Sequence, residues 1–292
     1  MTGVRFSDRV AATLMHHTAR FTVRYGAELA FAGGDLPRPR RHRVATRHGR
    51  VPVWEYTDPA ADHDRPDVPV HVHLHGGAWL MRYPQMDDWW CRYVVATTGL
   101  RVLNVDYRAA PYVTFPVAQE QSFDVARWAA ERAAVSVGGF SSGGGMAAAV
   151  GLMARDEQAF APRLLVLGVP ALDLASSTPP GNGMISGSLR GLVRRAYFPD
   201  EASRSSPYAS PLLAPSLAGL PRTLVMTAER DTLRRDGDDF AQRLREDGVE
   251  VWHDLTPHAD HYFLTEDPGR ARSTMAHVGE ELRAAHGLAS TS

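Results

Sequence analysis

Apolar runs of six or seven residues, rich in Val and Leu, recur along the chain at 69–75, 101–106, 135–140, 163–169, 222–228 and 249–255. Their length and composition read as buried strands. Between them lie helix-like segments near 86–98, 117–133, 143–155, 235–246 and 269–285. This alternation predicts a mainly parallel sheet with helices on both faces. Ahead of it, 42–46 and 51–56 flank Arg47-His48-Gly49-Arg50 and read as an antiparallel hairpin, which brings the sheet to eight strands. The Pro- and Asp-rich stretch 58–68 reads as an exposed loop. Phe6, Val10 and Leu14 recur at helical spacing, with Val23, Leu29 and Phe31 after them, so residues from about 5 to 32 read as amphipathic helix.

The rhythm breaks between Pro170 and Leu220. Residues 176–183 read as a loop and 188–198 as a short helix. Met184, Ile185, Leu189, Leu192, Val193, Tyr197 and Phe198 give this insertion too much apolar surface for a solvated excursion. At the carboxyl ends of the strands it would serve as a cap.

Composition narrows the class. With 292 residues, 44% hydrophobic and 22% charged, the chain suits one large domain, 1–292, able to bury a full sheet. A formal net charge of -1 gives no global field that would gather nucleic acid or an anionic membrane. The one basic cluster, Arg38-Pro39-Arg40-Arg41-His42-Arg43, is short and proline-broken and reads as a solvated connector. Every cationic side chain is arginine, with no lysine, which together with the many alanines suggests a GC-rich bacterial genome. Cys91 is the only cysteine, which excludes an intrachain disulfide and cysteine-based zinc sites. It sits in Trp89-Trp90-Cys91-Arg92-Tyr93 and reads as packing. Residues 1–20 lack the apolar core of a signal peptide and no stretch approaches a membrane span, so the expected location is cytoplasmic.

Four motifs carry chemistry. Gly139-Phe140-Ser141-Ser142-Gly143 follows the apolar strand Val135-Ser136-Val137 and precedes the helix-prone Met146 to Val150. A strand reversing into a helix within so few residues forces its central side chain outward, and the glycines let the two backbones pass. Upstream, Val70-His71-Val72-His73-Leu74 ends in His75-Gly76-Gly77-Ala78-Trp79, where amides without ladder partners can converge on an oxyanion. The expected donors are the amides of Gly77 and Ala78, with Gly76 in the same loop, joined by the amide of Ser142. Downstream come Asp231, closing the strand before it, and His261, within His258-Ala259-Asp260-His261-Tyr262-Phe263. Ser, Asp, His is the order an α/β-hydrolase requires.

On these residues the chain resembles the hormone-sensitive lipase-like branch of the α/β-hydrolases, the bacterial carboxylesterases and arylacetamide deacetylases, from about Val51 to Phe263. His75-Gly76-Gly77-Ala78-Trp79 is similar to the family's His-Gly-Gly-Gly-Phe/Trp loop. Asp106-Tyr107-Arg108-Ala109-Ala110-Pro111 with Phe115-Pro116-Val117-Ala118 is similar to its Asp-Tyr-Arg-Leu-Ala-Pro-Glu segment. Ser210-Pro211-Leu212-Leu213-Ala214-Pro215 and Leu220 to Val225 look like the approach to the acid-bearing strand. Asp231-Thr232-Leu233 stands at its Asp-Pro-Leu and His261-Tyr262-Phe263 at its His-Gly-Phe. The resemblance implies an α/β-hydrolase fold with a helical cap from about 1–35 and 176–206. Two departures replace acidic family positions by Phe140 and Tyr112, which predicts a more apolar site. A third puts Ala78 for the last loop glycine, adding a methyl group and restricting φ.

The expected reaction is acyl transfer to water, with Ser141 as nucleophile, His261 as base and Asp231 orienting it. His258 is the rival base; Glu229 and Asp260 are the rival acids. Trp79 and Phe140 are the expected substrate contacts, with Met81 and Tyr83 beside them, and point to short or medium acyl esters of bulky or aromatic alcohols. The alternating His71, His73 and His75 superficially suggest a metal face, but no second ligand cluster accompanies them. No metal, cofactor or nucleic acid is expected; the partner is a small ester, and a homo-oligomer is compatible with the sequence. Three other readings share the motifs: an amide or formamide hydrolase, a biosynthetic acyltransferase, and a ligand receptor without turnover, against which His261 argues.

Overall fold

The computed structural model describes residues 4–23, 26–59, 68–176 and 183–289. Eight strands form one sheet: β1 (Arg40–Thr46), β2 (Gly49–Tyr56), β3 (Val70–Leu74), β4 (Arg101–Val105), β5 (Val135–Phe140), β6 (Leu165–Gly168), β7 (Thr223–Ala228) and β8 (Val251–Thr256). Their spatial order is β1-β2-β4-β3-β5-β6-β7-β8. β1 and β2 make the predicted antiparallel hairpin and β2 joins β4 antiparallel, while the six strands from β4 to β8 run parallel.

Period-two alternation sorts the strand residues onto two faces. Val72, Leu74, Val137, Leu165 and Leu167 join one core with Phe123 of α3 (Val117–Ala130), Met146 and Leu152 of α4 (Ser142–Asp156) and Phe240 of α6 (Arg234–Glu246). Val102, Phe140, Val166, Leu224 and Met226 join the other with Trp90 and Tyr93 of α2 (Asp88–Thr98) and Met275 and Leu282 of the helix Pro268–Ala285. The fold is therefore the expected α/β-hydrolase sandwich. Parallel β3 and β5 are neighbours, with Leu74 opposite Gly139, so the loop after β3 and the turn after β5 emerge side by side. A sheet whose strand order reverses there opens a crevice at its carboxyl edge.

Most boundaries fall within one or two residues of expectation; the N-terminal helix does not. α1 (Phe6–Thr22) stops ten residues short of position 32, and turns replace helix around Leu29. Its predicted apolar stripe faces solvent, with Phe6 83% and Leu14 63% exposed. The buried face carries Asp8, Ala12 and Ala19 instead. Small alanines let the helix lie close to its neighbour, and Asp8 is neutralised by Arg195 of α5 (Gly187–Ala196), whose Nε donates to it at 2.9 Å. Periodicity located a helix; its partner chose the face.

α5 lies at the predicted insertion helix, capped by Ser186, whose side chain accepts from the Leu189 amide. The predicted loops at 58–68 and 176–183 fall largely outside the described residues. Among the described residues no helix is long and apolar enough to cross a membrane.

Candidate active site

β5 ends at Phe140 and α4 begins at Ser142, so Ser141 alone makes the turn, with φ 56° and ψ -120°. A non-glycine residue at positive φ is strained and needs surrounding structure to hold it. Here the Ser141 amide donates to the Gly168 carbonyl at 2.8 Å, and its own carbonyl accepts from Gly145 at 3.0 Å and Ala171 at 3.2 Å. A Cβ at either Gly139 or Gly143 would run into the Leu74 carbonyl. Both glycines of the motif are therefore needed because β3 and α4 pass at backbone contact.

The neighbouring loop is equally constrained. Gly77, Ala78 and Trp79 have φ of 108°, 58° and 55°, three positive values in a row, two of them on residues with a Cβ. Each non-glycine there costs on the order of 1 kcal/mol. Buried His75 stacks on Tyr107 with ring centroids 4.2 Å apart, and its Nδ1 lies 2.7 Å from the Gly76 carbonyl. Burial lowers its pKa to about 4, so the ring is neutral and Nδ1–H donates to that carbonyl. The Tyr107 hydroxyl donates to the His75 carbonyl at 2.7 Å. Gly76 is thus held by its carbonyl. The amides of Gly77, Ala78 and Ser142 have no acceptor among the described residues, as an anion-binding group requires.

Asp231 follows β7, and its Oδ2 lies 2.7 Å from Nδ1 of His261, on the loop after β8. Both side chains are buried, and the Asp231 Oδ1 also accepts from the Leu233 amide at 3.0 Å. His258, the rival base, has a side chain 92% exposed and pairs with Glu229. Asp260 accepts from the His261 amide at 2.7 Å and Glu229 from that of His258 at 2.6 Å. The two rival acids therefore brace the loop.

Ser141 and His261 line one mostly apolar cavity of ≈ 100 Å³, together with Gly76, Gly77, Ala78 and Phe140. Phe140 packs against Trp89 and Trp90 at centroid distances of 5.8 and 5.6 Å, which fills the position of the family's acid with aromatic surface. Met81 is in the wall, as expected. Trp79 is mostly core, edge-on to Phe198 at 5.1 Å, and faces a second cavity of ≈ 40 Å³ on the other flank of Ser141 and Ser142. Tyr83 belongs to neither cavity and opens on a surface pocket instead. Tyr112 is exposed and bonds His17 of α1 at 2.7 Å, so that departure from the family pattern serves the helix rather than the site.

The sequence reading missed Val23, Leu29 and Asp87 in the cavity wall. Asp87 had a signal, an acid beside another acid at the head of an aromatic run, but nothing local ties it to Ser141. The alternating histidines divide their partners: His71 bonds Ser136 at 3.0 Å, His73 bonds Asp87 at 2.9 Å and His75 the Gly76 carbonyl. Among the described residues no group of three His, Cys, Asp or Glu side chains is placed to hold a metal ion.

A family model described as alpha/beta hydrolase fold matches residues 71–265. An arylesterase of Saccharolobus solfataricus is 32% identical over 227 residues, 73% of this chain and 73% of the relative. The carboxylic ester hydrolase LipN of Mycobacterium tuberculosis is 33% identical over 274 residues, 85% of this chain and 69% of the relative. Among solved structures, a bacterial heroin esterase superposes with a TM-score of 0.83 at 27% identity, covering 98% of this chain and 94% of that one. Sequence, sheet order and relatives agree, and the chain belongs to the α/β-hydrolases, in their hormone-sensitive lipase-like carboxylesterase family.

Proposed function

We propose that this chain is a serine carboxylesterase in which Ser141 is the nucleophile, His261 the general base and Asp231 its orienting acid. One observation carries the reading: the strained Ser141 turn opens into the same cavity as His261, whose far nitrogen is engaged by buried Asp231. Nδ1–H of His261 donates to Asp231, which leaves the Nε2 lone pair to take the Ser141 proton as Oγ attacks the ester carbonyl. The carbonyl oxygen becomes an anion received by the amides of Gly77, Ala78 and Ser142. Collapse expels the alkoxide, which takes its proton from His261, and water then repeats the attack on the acyl-enzyme. Esters are favoured because the two relatives described above are named as an arylesterase and a carboxylic ester hydrolase and this wall is apolar. The helices α1 and α5 act as the cap, through Val23 just after one and Leu189 within the other.

Hydrolysis of p-nitrophenyl esters of graded chain length tests this. Ser141→Ala should lower kcat by on the order of 10⁴-fold or more. Ser142→Ala should keep most of the activity, since its hydroxyl is buried and its amide is unchanged. Equal losses in two folded variants would overturn the assignment.

A further inference from the structure

The outer face of α1 is apolar without being buried. Phe6, Val10, Leu14 and Phe21 fall on one stripe of a helix with about 3.6 residues per turn, and each is more than half exposed. Tyr112, also more than half exposed, widens the patch, since its hydroxyl bonds His17 on the same face. Exposed apolar residues scattered singly are ordinary, but several together mark a surface of contact. The helix cannot rotate to hide them, because Asp8, its only acid, is held on the opposite side by Arg195.

Positive charge borders the stripe on one side. Helical spacing puts Arg9 and Arg20, both exposed, along one margin. Beyond that margin lies an open surface pocket of ≈ 440 Å³, lined by Arg20, Arg41, Arg82, His16 and Trp54. Arg82 is committed to Asp106, its Nε donating at 2.6 Å. Arg9, Arg20 and Arg41 have no carboxylate partner among the described residues; the guanidinium groups of Arg20 and Arg41 lie over the rings of Phe21 and Trp54, at 4.6 and 5.4 Å from the centroids. Exposed arginines are stable in water alone, and their planar forks match the oxygens of a phosphate. The whole chain has a formal net charge of -1, so this charge is local to the margin of α1.

We propose that α1 and the groove beside it form a docking surface for anionic phospholipid membranes. The stripe enters the boundary between head groups and acyl chains, while Arg9, Arg20 and Arg41 pair with lipid phosphates. Phe6, Phe21 and Tyr112 suit that boundary, which is apolar on one side and wet on the other. Docking a second copy antiparallel along the stripe would instead set the same arginines side by side. α1 leads into Val23 in the wall of the Ser141 cavity, so a docked α1 brings the membrane beside the site. Docking of this kind needs no turnover and stands apart from the esterase reading above.

Flotation of the full chain with lipid vesicles at about 0.1 M salt tests it. Vesicles of equal phosphatidylglycerol and phosphatidylcholine should bind the protein about tenfold or more tightly than vesicles of phosphatidylcholine alone. Phe6→Ser combined with Leu14→Ser should weaken binding to the anionic vesicles by about tenfold or more. Arg20→Gln combined with Arg41→Gln should remove most of the preference for them. All four side chains are exposed, so these variants should melt as wild type does. A dye reads the same contact with the stripe otherwise intact: nitrobenzoxadiazole on Val10→Cys should brighten on the anionic vesicles. On Glu131→Cys, ahead of β5 at the edge of the sheet opposite Ser141, it should not; Cys91 is buried and stays unlabelled. Ser141→Ala should bind vesicles as wild type does, whatever it does to esters. Absence of binding, equal binding to the two kinds of vesicle, or binding that survives loss of the stripe overturns the proposal. So does a wild-type dimer in light scattering that Phe6→Ser with Leu14→Ser turns into a monomer, since a second copy would then occupy this face.

Discussion

The turn that carries Ser141 and the helix α1, which leads into Val23 in the same cavity, are held by opposite means. Around Ser141 every constraint is backbone: three hydrogen bonds to the residue's own amide and carbonyl, and two glycines against the Leu74 carbonyl. α1 is tied by side chains, Asp8 to Arg195, His16 Nδ1 to the Leu80 and Ala110 carbonyls at 3.2 Å each, and His17 to Tyr112. Its apolar stripe is mostly exposed, Phe6 by 83%, Leu14 by 63% and Val10 by 52%. Backbone constraints fix a position to a fraction of an ångström and tolerate no substitution. Side-chain ties at a surface can be made and broken, as a cover over a substrate must allow.

The largest effect lies in the rigid region. His261→Ala should lower kcat by on the order of 10⁴-fold or more, whereas His258→Ala should leave it within about threefold, because the first shares the cavity of Ser141 and the second lies in solvent. Steady-state kinetics on p-nitrophenyl acetate decide it. An active His261→Ala beside an inactive His258→Ala would move the base to the wrong side of the loop and dissolve the contrast.

Stability gives the next largest effect. Gly143→Ala places a methyl group into the Leu74 carbonyl, where neither backbone can yield, and should cost more than about 3 kcal/mol or prevent folding. Urea unfolding measures it. A Gly143→Ala protein of near wild-type stability would mean that the turn can relax, and that its strain is not enforced by β3.

This division also explains what was legible in the sequence. The motif around Ser141 announced itself because a backbone approach leaves glycines at fixed spacing, and glycine is visible in a sequence. Asp231 and His261 were legible for a related reason: each follows a parallel strand, and the strands show as apolar runs. The buried face of α1 was not legible, since Ala12 and Ala19 carry little apolar signal while Phe6, Val10 and Leu14 carry much. Nothing near Asp8 in the sequence points to its partner, Arg195, which lies far along the chain and neutralises it where it is buried. Asp87 was hidden for the same kind of reason, as its partner His73 sits on β3 and its place in the cavity depends on how the loop between them folds.

The smallest effect belongs to the tie between α1 and α5. Arg195 has a side chain 46% exposed, so its pair with Asp8 is screened by solvent, and Arg195→Ala should cost no more than about 1 kcal/mol at pH 7. The hydrogen bond from Arg195 lowers the pKa of the Asp8 carboxyl below its ordinary value of 3.8. A carboxyl lowered on folding stabilises the protein above its unfolded pKa and loses that contribution as pH falls through the folded one. The difference in melting between Arg195→Ala and wild type should therefore be present at neutral pH and fade in acid, as pH falls below 3.8 and through the lowered carboxyl pKa. Activity should separate further than stability does. A loosened α1 shifts Val23 in the wall but leaves Ser141 and His261 in place, so KM should rise two- to threefold or so for p-nitrophenyl octanoate and hardly change for the acetate. Equal changes on the two esters would make α1 a general stabilising element rather than a cover for the substrate.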